Sequence, residues 1–177
     1  PTTDETITAT AAATDSDGDS ISYDYKWYVN GTLLLSGATA TLNGNLYFDK
    51  GDTVYVVVTP TDGTDAGTSL TSSTVTIANF VGEVSSVNIS PSPAYAANTL
   101  TCAWTWSDDD GDADVSTVAW TVNGTSAGTG TTLTSGYVNT DVVVCTVTAD
   151  DGTDVGASSS ATLTISNTPP VLSTVTL

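Results

Sequence analysis

The chain lacks the residues on which several large classes of function depend. It has no histidine, no arginine and no methionine, and its only lysines are Lys26 and Lys50, against twenty aspartates and glutamates. The formal net charge is −18. Binding of nucleic acid needs cationic side chains that neutralise phosphates, and anionic membranes attract basic segments. The composition therefore excludes nucleic acid as a partner, and no apolar run is long enough for membrane insertion.

Groups that carry out catalysis are equally scarce. There is no histidine to act as a base, no nucleophilic cysteine with a base beside it, and no glycine-rich phosphate loop. Paired carboxylates are the only acid and base candidates, and on exposed turns such pairs are more often structural. We therefore expect a protein that is not an enzyme.

The acidic residues are nearly all aspartate, with only Glu5 and Glu83 as glutamates. Aspartate is typical of turns and ligand loops, whereas a generally acidic surface would use glutamate as well. So many carboxylates in one compact chain repel each other unless cations or salt screen them. This composition predicts bound metal ions or a saline medium.

An acidic stretch at residues 14–19 (TDSDGD) returns at residues 107–112 (SDDDGD). Aligning the two stretches also aligns the tryptophan strands and the Asn-Gly pairs that follow them. The matched pairs include Trp27 with Trp120, Asn30 with Asn123, Asp62 with Asp151, and Gly67 with Gly156. The chain therefore contains two homologous copies.

Within each copy, apolar and polar residues alternate with a period of two, which predicts β-strands. In the second copy the expected strands span residues 84–90, 99–106, 116–122, 131–134, 141–148 and 159–165. The Asn-Gly pairs at 30–31 and 123–124 predict tight hairpin turns. About seven short strands per copy predict an all-β fold of two tandem immunoglobulin-like β-sandwich domains.

The boundaries of the two copies do not coincide with the two ends of the chain. The segment 83–89, expected as the first strand of the second domain, recurs as 171–177, and nothing equivalent precedes Thr6. We therefore expect a domain at 1–79 that lacks its first (A) strand and a complete domain at 80–167. Residues 168–177 are then a linker and an orphan A-type strand, with Val171, Ser173, Val175 and Leu177 in alternation. The strand belongs either to a following domain of a tandem array or to the next subunit as a donor strand.

The order Cys102, Trp120, Cys145 resembles that of immunoglobulin domains. The resemblance implies a disulfide between Cys102 and Cys145 that bridges the two sheets. The alternative is two buried free thiols in a reducing compartment. The first copy has Ala9 and Val56 at these positions, so it depends on packing alone.

Taken together, the acidic stretches, the Trp-x-Val-Asn-Gly runs, the Asp-Gly-Thr-Asp loops and the linker at 167–170 resemble tandem immunoglobulin-like or cadherin-like repeats of large bacterial and archaeal surface proteins. The resemblance implies an extracellular or cell-surface filament, stalk or spacer, often with calcium. Its partners would be copies of itself or adjacent repeats of the same chain. The alternatives are an adhesin or carbohydrate-binding module that contacts surface glycans, and a passive spacer in a secreted enzyme.

In such a sandwich, the loop after the second strand and the loop before the last strand lie at one pole, where the preceding linker also enters. We therefore expect Ca²⁺ at the head of each domain, since it takes six to eight oxygen ligands. The alternative is that aspartates gather there because turns prefer them. The candidate ligands of the second domain are Asn79, Glu83, Asp108, Asp110, Asp112, Asp150, Asp151 and Asp154. Those of the first are Asp15, Asp17, Asp19, Asp62 and Asp65, with Asn167 of a preceding module.

Two further sets of residues are candidates for contacts with sugars. Asn30, Asn88 and Asn123 lie in Asn-x-Ser/Thr triplets and are candidate glycosylation sites, although the first and last also suit turns. A carbohydrate-binding module would need an exposed aromatic platform, for which the sequence offers Tyr47, Phe48 and Tyr55. Trp104 and Trp106 share the parity of Cys102 and are expected in the core.

Overall fold

Period-two alternation in runs rich in Val, Thr and Tyr produces β-strands along the whole chain. The structure, a computed structural model, describes residues 1–177. The chain divides into a first unit, Pro1–Phe80, and a second unit, Val81–Leu177. No helix is long and apolar enough to cross a membrane.

The first unit has seven strands and one short helix. They are β1 (Thr6–Thr8), β2 (Ser22–Val29), β3 (Thr32–Gly37), β4 (Thr41–Asn43), α1 (Gly44–Tyr47), β5 (Thr53–Thr61), β6 (Leu70–Thr71) and β7 (Val75–Thr76). In one sheet β1 pairs only with β4; in the other the order is β3-β2-β5, and both β6 and β7 pair with β5. The core between the sheets is centred on Trp27, Leu42 and Val56.

The second unit has seven strands. They are β8 (Glu83–Ser90), β9 (Leu100–Ser107), β10 (Thr117–Val122), β11 (Thr125–Thr129), β12 (Thr132–Leu133), β13 (Val142–Asp150) and β14 (Val155–Thr164). One sheet has the order β12-β9-β8 and the other the order β11-β10-β13-β14, with all neighbours antiparallel. Both units are immunoglobulin-like β-sandwiches, as predicted. In the first unit β1 corresponds to β9, and no strand corresponds to β8.

The disulfide joins the two sheets of the second unit. Cys102 lies on β9 and Cys145 on β13, with Cα atoms 6.3 Å apart. Trp120 lies opposite Cys145 in the register of β10 and β13, and it is 1% exposed. The prediction of a Cys102–Cys145 disulfide is confirmed. In the first unit, Trp27 lies opposite Val56 in the same manner.

The predicted hairpin turns are confirmed. Asn30-Gly31 joins β2 to β3, and Asn123-Gly124 joins β10 to β11. All four residues have positive φ, between 50° and 79°. Such turns match the right-handed twist of the flanking strands, which explains the Asn-Gly pairs.

Two expectations about side-chain orientation need correction. Strand β8 does not alternate simply, because its register shifts between Ser85 and Asn88, where Ser86 has a φ of 52°. Its inward residues are therefore Val84, Val87 and Ile89, all packed on the core. Trp104 packs at the edge of the core, but Trp106 lies outside the core cluster.

The orphan strand expected within residues 168–177 is not formed. Residues 167–177 form no strand, because an extended segment without a partner has no ladder of hydrogen bonds to stabilise it.

Candidate metal centre

The first acidic loop of the second unit, residues 107–112, follows β9 and is folded around one carboxylate. Oδ1 of Asp108 accepts hydrogen bonds from the backbone N–H groups of Asp110 at 2.9 Å and Asp112 at 3.1 Å. Gly111 has a φ of 77°, which the turn needs. Since Oδ1 organises the loop, Oδ2 of Asp108 is turned away from these amides.

The second acidic loop, residues 150–154, joins β13 to β14 and is built in the same way. Oδ1 of Asp151 accepts from the N–H groups of Thr153 at 2.7 Å and Asp154 at 2.6 Å. Oδ1 of Asp150 accepts from Gly152 N–H at 2.8 Å. These bonds fix the direction of the Asp151 side chain, which is only 6% exposed.

The two loops bring three carboxylates together. One oxygen each of Asp108, Asp112 and Asp151 lies within 4.8 Å of the others. Oδ2 of Asp108 is buried and has no hydrogen-bond partner. A buried carboxylate oxygen without a donor is costly unless a cation or a donor compensates it. The donor set, hard carboxylate oxygens from two rigid turns, fits Ca²⁺.

The approach to β8 forms part of the wall of this site. Gly82 is buried, and a Cβ on it would lie 2.0 Å from the ring of Trp106 and 2.9 Å from Asp108 Oδ2. A Cβ on Gly156 would lie 2.9 Å from the carbonyl oxygen of Gly82. Trp106 Nε1 donates to the carbonyl of Asp112 at 3.2 Å. Glycine at positions 82 and 156 therefore allows close contacts around the site that a larger residue would obstruct.

Sequence reasoning missed these supporting residues. Gly82, Gly156 and Trp106 carry no ligand atoms, and their role depends on a close approach between segments far apart in the sequence. The alignment of Gly67 with Gly156 was the available signal, since a glycine repeated at one place in two copies indicates a close contact.

The other acidic residues predicted for this site are close in sequence to Asp108, Asp112 and Asp151, but they do not belong to this group of converging carboxylates. Asp110 belongs to the first loop and Asp150 and Asp154 to the second. Glu83 is exposed on β8, opposite Ser107 of β9.

In the first unit both acidic loops form without bringing their carboxylates together. Asp15 Oδ1 accepts from the N–H groups of Asp17 at 2.8 Å and Asp19 at 3.1 Å. Asp62 Oδ1 accepts from Thr64 and Asp65 at 2.7 and 2.8 Å. Hydrogen bonds from the backbone of Asp65 and Thr64 hold the pKa of Asp62 below its usual value.

A cleft separates these two loops. It has a volume of about 180 Å³ and is lined by Asp15, Asp62 and Asp65, among others. No three acidic oxygens of the first unit come as close together as those of Asp108, Asp112 and Asp151. The two units therefore share the loop geometry and differ in whether the loops converge.

The two asparagines predicted as linker ligands are bound within their own units. Asn79 Oδ1 accepts from Lys50 Nζ at 3.2 Å in the first unit. Asn167 Oδ1 accepts from Asn139 Nδ2 at 3.3 Å in the second.

The candidate glycosylation sites Asn30 and Asn123 have a clear structural role. Asn30 Nδ2 donates to Asp52 Oδ1 at 2.7 Å, and Asn123 Nδ2 donates to Asp141 Oδ1 at 2.8 Å. Each therefore holds its hairpin turn against the segment just before β5 or β13, the strand that pairs with β2 or β10. Asn88 is exposed on β8, where its amide donates to the carbonyl of Ser86 at 3.3 Å.

The three candidate aromatic residues do not form a common platform. Phe48 is 3% exposed and belongs to the core, so its assignment to a sugar-binding surface is wrong. Tyr47 packs against that core. Tyr55 stacks on Tyr28 across β2 and β5, with ring centroids 4.7 Å apart, which covers one face of each ring.

Comparison with known proteins gives matches among solved structures. The chain is similar to a solved structure of the fibronectin(III)-like modules of Clostridium thermocellum CbhA, with 19% identity and a TM-score of 0.37. The match covers 91% of this chain and 84% of that one. No family model and no curated protein matches the chain. Strand order and register, described above, define the fold.

Proposed function

We propose that the chain is a non-catalytic structural part of an extracellular filament, stalk or fibre, built from immunoglobulin-like units and stabilised by calcium. In this role each unit joins the next through strand pairing or tandem continuation, and its partners are copies of itself or adjacent repeats. Two observations carry the calcium assignment: the convergence of one carboxylate oxygen each of Asp108, Asp112 and Asp151, and the buried Oδ2 of Asp108, which has no hydrogen-bond partner.

Electrostatics supports a bound cation. Three carboxylates within 4.8 Å repel one another, and the chain carries twenty acidic side chains with only two lysines to offset them, a net charge of −18. A divalent cation converts this repulsion into attraction and ties the loop after β9 to the loop after β13. Backbone carbonyls and water would complete its six to eight oxygens.

An extracellular setting is supported by the disulfide. The Cys102–Cys145 bond fits an oxidising compartment, where millimolar calcium is also available. The tandem arrangement of two homologous sandwiches supports a spacer or filament role. Calcium at the junctions between domains would then stiffen the array.

The test is a thermal melt in calcium and in chelator, comparing two matched variants. Asp151→Asn removes one charge from the converging carboxylates but keeps the Oδ1 acceptor of its turn, and Asp62→Asn makes the same change in the first unit. A hundredfold excess of calcium over Kd stabilises the bound unit by about 2.7 kcal/mol, which raises its Tm by about 10 °C or more. We expect this rise in the second unit, and we expect Asp151→Asn to abolish it and Asp62→Asn to leave it intact.

Equal melting in calcium and chelator would refute the calcium assignment. So would an equal loss in both variants, because it would indicate a general charge effect. Magnesium at the same concentration serves as the control for selectivity, since it needs stricter octahedral geometry.

A further inference from the structure

One sheet edge is unpaired in the first unit, whereas the equivalent edge in the second unit is paired with a further strand. Strand β1 pairs with β4, with Ile7 opposite Leu42, and its other edge has no partner. In the second unit, β9 pairs with β12 on one side and with β8 on the other. An unpaired edge of this kind is a template for a further strand.

An apolar groove runs along this open edge. It has a volume of about 530 Å³, and its walls include Ile7, Ala9, Tyr23, Val58 and Leu70. None of the residues that line it is charged. In a chain with a net charge of −18, a groove free of carboxylates is suited to apolar contacts.

Strand β8 fills the corresponding space in the second unit. Its residues Val84, Val87 and Ile89 pack on the core, and the core residue Val147 is 0% exposed. Val58, which matches Val147 in the repeat, is only half-buried. Leu70 is 74% exposed. The first unit therefore lacks the apolar cover that three side chains of β8 give the second.

The segment Val171–Leu177 matches what the groove lacks. It aligns with Glu83–Ile89 of β8, which places Leu172, Val175 and Leu177 at the inward positions of Val84, Val87 and Ile89. This spacing reproduces the register shift of β8, which simple alternation would not. The segment is uncharged and forms no strand, and Leu172, Val175 and Leu177 are each at least 72% exposed.

We propose that the groove of the first unit binds Val171–Leu177 of a second copy of this chain as an added strand beside residues 8–14, which match the part of β9 that pairs with β8. The inference rests on the structural role proposed above and names its partner. Backbone hydrogen bonds along residues 8–14 supply affinity, and the three inward side chains supply register. Because donor and acceptor are different surfaces, the contact is head to tail and extends to filaments or closes into rings.

The test uses the full chain in chelator, so that it does not depend on calcium. Val175→Asp places a carboxylate at an inward position of the donor, and Leu70→Asp places one in the groove. Both residues are exposed in the free chain, so neither change disturbs the folded core. Val171→Asp is the matched control, because Val171 aligns with Glu83, which is acidic and exposed in β8.

Analytical ultracentrifugation over a range of concentrations should show assemblies larger than a monomer for the wild type and for Val171→Asp. Val175→Asp and Leu70→Asp should weaken assembly by about 100-fold or more, because each buries an unpaired charge. A mixture of these two variants should form one-to-one dimers, since one retains the groove and the other retains the donor segment.

A wild type that stays monomeric at every concentration would overturn the proposal, and so would equal damage by Val171→Asp and Val175→Asp. If a synthetic peptide of residues 168–177 binds the Val175→Asp chain while the wild type stays monomeric, the groove takes a strand from its own chain and the second-copy assignment fails. If calcium does not raise the Tm but assembly is intact, the calcium site is refuted and the strand contact is not.

Discussion

The two units have the same fold plan and reach different degrees of completeness. The second unit has a disulfide between its sheets, a covered core and three converging carboxylates. The first has the same hairpins and acidic loops, but its outer edge at β1 is open. One strand, β8 with the preceding residues Val81 and Gly82, therefore contributes to both the core and the candidate metal centre.

The last strand shows the same contrast. In the second unit β14 is a single strand of ten residues that pairs with β13 from Ser158 to Thr164 and again at Val155, with a register shift near Asp150. In the first unit the corresponding strand is split into β6 and β7. The hydroxyl oxygen of Ser72, between them, accepts a hydrogen bond from the N–H of Val56. Strand β8 packs against β14 in the second unit, whereas β6 and β7 have no such neighbour.

The largest expected effect comes from removing the disulfide. Replacing Cys102 with Ala and Cys145 with Val recreates the residues of the first unit, Ala9 and Val56. Loop closure over 43 residues predicts a loss of about 4 kcal/mol in the free energy of unfolding of the second unit, and no loss in the first. Urea denaturation followed by amide NMR signals of each unit measures both.

An equal loss in the two units would contradict this prediction, since it would mean that they unfold together. Reduction of the wild type provides the control, because it opens the same bond without changing the sequence.

A smaller effect is expected at Tyr137, which aligns with Phe48 of the first unit. The Tyr137 hydroxyl donates its proton to the carbonyl oxygen of Asn98 and lies 3.3 Å from that of Leu133, and burial raises the pKa of Tyr137. Tyr137→Phe should lower the free energy of unfolding of the second unit by about 1 kcal/mol, because it removes this hydrogen bond. The urea midpoint of the second unit measures the loss.

Tyr23→Phe in the first unit is the control, since the hydroxyl of Tyr23 makes no hydrogen bond in the structure. A loss as large as that of Tyr137→Phe would show that the hydroxyl contacts of Tyr137 add nothing specific.

Much of the fold was predictable because it depends on local chemistry. The period-two alternation predicted the strands, Asn-Gly the hairpins, and the repeat the match between Trp27 and Trp120. The shift in β8 at Ser86 and the split between β6 and β7 were not predictable, because alternation does not record which residue leaves the ladder. Tyr137 was missed because nothing local distinguishes a hydroxyl that reaches back 39 residues.

The candidate site was predictable only in part. The loops that hold Asp108 and Asp151 were identified from turn chemistry and from the topology of the sandwich. The close approach of Gly82 to Trp106 and Asp108 has no local signature in the sequence. Asp110 and Asp154 looked equivalent to Asp108 and Asp151 in the sequence because the hydrogen bonds that aim each carboxylate appear only in three dimensions.

The most direct test of the account is to supply the first unit with the strand it lacks. Residues 168–177 are placed ahead of Pro1 through a four-residue linker, and the unfolding midpoint of the first unit is measured by NMR. We expect stabilisation of that unit by about 2–4 kcal/mol, since three apolar side chains are buried and one strand is ordered. An aspartate at the added position equivalent to Val175 should abolish the gain. An unchanged midpoint with the unmodified strand would contradict the claim that a missing strand separates the two units.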